Sequence, residues 1–167
     1  MSVQSEADSY RRSVTHVLET LGESWSMLIV REAFFGTRRF EGFQQNLGIA
    51  RNILADRLKK LCQNGILERV PIREGARRQE YRLTSKGRDL FPTLIALTQW
   101  GDRWVFGAGE EPFLFVERDS GEPIQQIRVR AADGHSLRPR EVKIETGPGA
   151  SEQDRQRVRD MDAAENS

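Results

Sequence analysis

The stretch Gly48-Ile-Ala-Arg-Asn-Ile-Leu-Ala-Asp-Arg-Leu-Lys-Lys-Leu-Cys-Gln-Asn-Gly65 constrains this chain more than any other. Ile49, Ile53, Leu54, Leu58 and Leu61 recur at helical spacing and make one apolar face. Arg51, Asn52, Ala55, Asp56, Lys59 and Lys60 fall on the other side. Gly48 suits a tight turn into the helix, and Gly65 suits a left-handed cap at its end. A helix of this pattern either reads DNA with its polar face or lies as ordinary solvated surface. The flanking sequence has to decide between the two.

Charge is distributed unevenly around that stretch. Residues 10–106 hold 17 Lys and Arg against 10 Asp and Glu, a charge of +7, whereas the whole chain of 167 residues carries only +1. A basic first part joined to an acidic remainder points to a polyanion as partner of the first part, although chance clustering gives the same totals. Hydrophobic residues make up 37% and charged residues 31%, so a soluble protein with a charged surface is expected. No apolar run approaches the ~18 residues of a membrane span. Residues Met1–Ser9 lack the apolar core of a signal peptide. One cysteine excludes an intramolecular disulfide framework, which makes the cytoplasm the expected compartment.

In chain order, residues 1–10 are polar and read as a flexible N-terminus. Val14, Val17, Leu18 and Leu21 form a helical stripe from about Ser13, ended by Gly22. Ser24 can cap a second helix from Trp25 to about Phe35, apolar nearly all round and therefore central to a core. A third helix, about Arg39 to Leu47, puts Phe40, Phe43 and Leu47 on one face. The Gly48 helix follows after a short turn, which is the pattern of a helix-turn-helix whose second helix enters the major groove.

Two β-prone stretches come next, Ile66–Ile72 and Glu80–Thr84, around a basic loop holding Arg73, Arg77 and Arg78. A hairpin in this place is a wing whose tip can lie along phosphates or reach into the minor groove. Thr84 or Ser85 then caps a long helix to about Trp104, with Leu90, Leu94, Leu97, Gly101 and Trp104 at seven-residue-like spacing. Pro92 should kink it or delay its regular part. Its apolar residues lie on more than one side, so it either lies across its own domain or packs against a second copy. Two half-sites favour the second. After the linker Gly107–Pro112, strands are expected at Phe113–Glu117, Ile124–Arg130 and Glu141–Glu145. Residues 147–167 read as a polar, disordered tail with a transient helix around Glu152–Met161.

The expected fold class is therefore α+β: a winged helix-turn-helix domain over residues 11–106, carrying a long C-terminal dimerisation helix, with a small β appendage at 107–146. Four motifs occur in order: Val-Leu-Glu-Thr-Leu-Gly-Glu-Ser-Trp; Ile-Val-Arg-Glu-Ala-Phe-Phe-Gly-Thr-Arg-Arg-Phe; Asn-Gly-Ile-Leu-Glu-Arg; and Glu-Tyr-Arg-Leu-Thr-Ser-Lys-Gly. Together they resemble the HxlR-type winged-helix transcriptional regulators, relatives of the MarR group, over about residues 12–106. The resemblance implies a bacterial, homodimeric DNA-binding regulator with the Gly48 helix as recognition helix and the hairpin as wing.

The chain also departs from that family. Some members carry zinc-knuckle-like cysteine turns in a C-terminal extension. The matching turns here, Arg118-Asp-Ser-Gly121 and Arg130-Ala-Ala-Asp-Gly134, have no cysteine, and His135 is the one nitrogen ligand nearby. A structural zinc site needs about four such ligands, so no metal and no cofactor are expected. Several members sense oxidants through a cysteine at the start of the first helix, and Ser13 stands at that position. A serine hydroxyl does not act as a thiolate does. Cys62 reads as a packed small residue.

Base edges are assigned to Arg51 and Asn52, because Arg can pair with guanine and Asn with adenine through two hydrogen bonds. Ala55 leaves room for close approach or meets a thymine methyl. Lys59 and Lys60 are candidate phosphate contacts, Arg77 and Arg78 wing contacts, and Arg38 and Arg39 backbone clamps. Each arginine is otherwise a solvated charge, and Asn52 a helix cap. Val14, Leu18, Leu94, Leu97, Gly101 and Trp104 are the candidate dimer-interface residues. Trp25, Trp100 and Trp104 read as core or interface rather than a stacking platform. No nucleophile motif, carboxylate pair or phosphate loop is present, and His16 and His135 are isolated, so no enzyme is expected. The leading reading is a homodimeric repressor of double-stranded DNA that responds to an unknown small-molecule effector, without a membrane partner. Its alternatives are a redox switch through Cys62 and a protein-interaction module with weak DNA binding.

Overall fold

The computed structural model of the chain describes residues 9–73, 78–107 and 109–165. Two compact units form: one spans Glu23–Arg128, and the other joins the N-terminal helix to the residues from Val129 onward.

In the Glu23–Arg128 unit the order is α2 (Ser26–Phe34), α3 (Phe40–Leu47), α4 (Arg51–Gln63), β1 (Leu67–Pro71), β2 (Gln79–Leu83), α5 (Ser85–Arg88) and α6 (Phe91–Gly101), with α1 (Ser9–Leu21) preceding them in the other unit. Helix α2 is central, as its all-round apolar sequence requires: it packs against α3, α4, β2 and α6. Ile29, Val30 and Ala33 of α2, Phe43 of α3, and Leu54, Leu58 and Leu61 of α4 are fully enclosed. These seven side chains remove most of their apolar surface from water, the main force holding the helices together. The stripe of α4 read from the sequence is thus its buried face.

The turn between α3 and α4 depends on Gly48, whose φ of 62° is left-handed and whose N–H donates to Gln44 O at 3.0 Å. Ile49 is buried in this turn, so its side chain anchors the start of α4. Ala50 occupies the N-cap position with extended backbone and supplies no side-chain cap. The wing is an antiparallel pair with Leu67 opposite Leu83, Arg69 opposite Tyr81 and Pro71 opposite Gln79. Tyr81 N–H also donates to Arg38 O at 2.8 Å, which ties the wing to the segment ahead of α3. Pro71 stands opposite Gln79 at the end of β1, and Ile72 beyond it still donates its N–H to Arg78 O at 3.2 Å, so the missing proline N–H does not end the contact between the two chain segments.

The expected continuous helix from Ser85 to Trp104 is divided. Thr84 caps α5 by accepting from Gly87 N–H at 3.0 Å and donates to Gly65 O. Gly87 is buried where any Cβ would collide with the Ile66 carbonyl. The chain then restarts as α6 with Pro92 in its first turn, where a missing N–H costs nothing. A π-helical turn, Asp102–Phe106, follows and is closed by Gly107 N–H donating to Asp102 O at 2.9 Å.

The three expected C-terminal strands do not form a sheet. Residues 113–128 belong to the Glu23–Arg128 unit and make one isolated antiparallel bridge, Val116 with Pro123. The Gln99 side chain of α6 takes the hydrogen bonds a strand partner would supply: it donates to Gln125 O and accepts from Ile127 N–H at 2.8 Å. In the second unit, Arg130 bridges Ser136, and Pro139–Glu141 forms a 3-10 turn instead of a strand start. The tail expected to be disordered carries α7, Glu152–Glu165. Ser151 and Asp154 cap it reciprocally, and Arg159 bonds Glu152 and Gln156 along its surface. Local capping and side-chain pairing stabilise a helix that composition alone, poor in apolar residues, argues against. Among the described residues no helix is long and apolar enough to cross a membrane.

Candidate nucleic-acid interface

Burying one side of α4 leaves Arg51, Asn52, Ala55, Asp56 and Lys59 exposed on the other. The roll of the helix is set from both sides. Behind it, Glu23 pairs with Arg57 and with Lys60 at 3.0 Å, while Asp56 reaches Arg57 at 2.6 Å and Lys60 at 3.4 Å. At its N-terminal end the Arg51 guanidinium lies over the Phe40 ring of α3, 4.9 Å from the centroid. Arg51, Asn52 and Ala55 therefore stand together on the first two turns, and neither Arg51 nor Asn52 is bonded to a carboxylate among the described residues, the nearby Asp56 being engaged by Arg57 and Lys60.

The structure separates the other sequence-assigned cations. Lys60 is half-buried and engaged with Glu23 and Asp56, which braces α4. Arg38 is half-buried and donates to Ala33 O at 2.5 Å and to Thr37 O at 3.1 Å, which makes it a brace for the chain leaving α2. Arg39 is exposed and sits 3.9 Å from Glu80. Lys59 is exposed with no carboxylate partner among the described residues. Arg78 is exposed at the base of the wing, and Arg77 lies outside the described residues.

One basic group was not separable in the sequence from its neighbours. Arg69 of β1 lies over the Tyr81 ring at 5.3 Å and borders a groove of about 400 Å³ together with Arg39, Arg78 and Phe40. Three guanidinium groups thus converge between the start of α3 and the wing. Strand alternation could not single out Arg69, because it shares its face with the buried Leu67 and stands opposite Tyr81, a face the pattern assigns to the interior.

A second missed feature is Glu32. It is only 7% exposed, in the middle of an otherwise apolar α2. Its carboxylate accepts from Arg31 at 3.1 Å, from the Thr37 hydroxyl at 3.3 Å and from the Asn46 amide of α3 at 2.9 Å. A buried carboxylate with three donors fixes the angle between α2 and α3. Cys62, late in α4, is partly buried. Burial pushes its thiol above the usual range, and the nearby Arg69 guanidinium only partly opposes this. A thiol held protonated is a poor nucleophile.

Three comparisons bear on this geometry. The sequence profile of the HxlR-like helix-turn-helix family matches residues 20–107. The uncharacterised HTH-type transcriptional regulator Rv3095 of Mycobacterium tuberculosis is 42% identical over 137 residues, covering 82% of this chain and 87% of that protein. The crystal structure of PA1607, a candidate transcription factor, superposes with a TM-score of 0.76 at 45% identity, covering 84% of this chain and 100% of that one. The reduced form of the transcriptional regulator YodB from Bacillus subtilis matches at a TM-score of 0.50 and 31% identity, covering 56% of this chain and 92% of its own.

Proposed function

Since the chain belongs to the HxlR-like helix-turn-helix family of transcriptional regulators, we propose that it is a homodimeric repressor whose operator affinity is set by a small ligand. Helix α4 enters the major groove with Arg51 and Asn52 on base edges and Ala55 close to the base pairs. Arg39, Arg69 and Arg78 hold phosphates beside the wing, and Lys59 holds one further along. The observation that carries this reading is the face of α4 itself. Its exposed first turns leave Arg51 and Asn52 unbonded to any carboxylate among the described residues, while Glu23 and Asp56 are taken up by Arg57 and Lys60.

Leu97, Trp100 and Trp104 are exposed large apolar groups on α6 and the turn after it, and Val14 and Leu18 are exposed on α1. Surfaces of this kind support pairing with a second copy. Leu94 is 4% exposed and already enclosed in its own chain, so it contributes to the domain core rather than to such a contact. The raised Cys62 thiol and the serine at position 13 give no support to a thiol switch.

The test is binding to DNA from upstream of the protein's own gene, titrated over a range of salt. Affinity falls steeply with salt for the wild type. Arg51→Ala and Asn52→Ala each cost about 1–3 kcal/mol and relax the sequence preference, whereas Arg78→Ala weakens all DNA alike and lowers the salt slope by about 1. Unchanged affinity in all three variants refutes the interface.

A further inference from the structure

Within the Glu23–Arg128 unit, α2, the end of α6, the π-helical turn and the extended segment after it enclose an open-mouthed cavity of about 710 Å³. Its wall is mainly apolar and carries four phenylalanines. Phe35 and Phe115 stand 6.4 Å apart as a tilted pair, and Phe106 and Phe113 add two further rings. Three charged side chains reach it: Arg31, Glu32 and Asp102. The first two cancel, because Arg31 bonds Glu32 at 3.1 Å and the rest of the Glu32 carboxylate is taken by Thr37 and Asn46.

Asp102 is different. The residue is half-buried, and its carboxylate makes no ion pair or hydrogen bond with any described residue. The adjacent cation does not neutralise it, since the Arg103 guanidinium lies over the Trp104 ring, 5.2 Å from the centroid. The backbone places it on purpose-built geometry: the wide turn closed by Gly107 N–H brings Asp102 and Phe106 onto the same wall. The cavity thus holds one uncompensated negative charge beside four aromatic rings.

We propose that this cavity binds a hydrophobic organic cation, an amine or onium group carried on an apolar body. Asp102 is the counter-ion, and the phenylalanine faces attract the same positive charge through their quadrupoles. A neutral ligand would leave the Asp102 carboxylate desolvated without a partner. An anion would meet Asp102 directly, and the Arg31 charge is already matched by Glu32, although the buried Arg31 Nε–H has no acceptor among the described residues. The assignment rests on the ligand-responsive reading above and names the ligand class. Glu32 lines the cavity and also bonds Asn46 of α3, so the same wall reaches the helix-turn-helix.

Calorimetric titration of the full chain with tetraphenylphosphonium, and with tetraphenylborate as an anion of the same shape, separates charge from size. The phosphonium should bind at least about tenfold tighter than the borate, the scale of one partly screened charge pair. Asp102→Asn should abolish that preference while keeping the wild-type thermal midpoint, and Phe115→Leu should weaken the phosphonium alone. No phosphonium binding, equal affinity for the two ions, or an Asp102→Asn variant that keeps the preference overturns the assignment. Phosphonium binding only after the protein is dissociated into monomers also overturns it, because a second copy then fills the cavity. DNA binding is read separately: its absence with the cation preference intact removes the regulator reading and leaves the cavity assignment standing.

Discussion

At the scale of single residues, the charged groups of this chain divide into those that brace and those that are offered to solvent. Arg38, Lys60 and Arg57 brace, whereas Arg51, Lys59 and Arg78 are exposed. Glu32 is the most demanding of the braces, since removing it leaves Arg31, Thr37 and Asn46 donors without their acceptor. Glu32→Ala should lower stability by roughly 1–3 kcal/mol, toward the lower end because Arg31 and Asn46 keep access to water. Urea denaturation should show a lower midpoint with an unchanged slope. The sequence alone could not sort these residues. Lys59 and Lys60 are neighbours of one type; Asp56, one turn before Lys60, was visible in the sequence, but the closer partner, Glu23, lies 37 residues before Lys60 and was not.

At the scale of elements, α2, α3, α4 and the wing were legible because each shows a strong apolar period or β-prone runs about a basic turn. Where a long-range hydrogen bond decided the matter, the sequence was silent. The stretch 124–130 has strand composition, yet the Gln99 side chain of α6 takes the backbone of Gln125 and Ile127 where a neighbouring strand would bond. The division of the α5–α6 region was half legible: Pro92 announced a disturbance, but not that α6 would begin there. Of the candidate site, the basic groups were visible as types, and their convergence around the Arg39–Arg69–Arg78 groove was not, because it depends on the register of β1 with β2. The missing cap of α4 gives a direct test. Ala50 already has the extended backbone of an N-cap, so Ala50→Ser should stabilise the protein by about 0.5–1 kcal/mol, seen as a higher thermal midpoint.

At the scale of the whole molecule, the exposed apolar groups on α6 and the π-helical turn are too large to be left in water without consequence. Trp104 is 66% exposed and Leu97 52%. Replacing Leu97 with Asp should convert the proposed dimer to monomer in sedimentation velocity, with far-UV dichroism unchanged, and should weaken operator binding more than it weakens binding to a single half-site. A dimer that persists in Leu97→Asp and in Trp104→Ala places the contact elsewhere. The ionic cluster behind α4, with Arg51 seated on Phe40 in front, has its own consequence at this scale. Ion pairs and ring contact on two sides oppose rotation of α4 within its domain. For the dimer proposed above, the quantity left for a ligand to change is then pitch: the separation of the two α4 helices measured against one turn of the double helix.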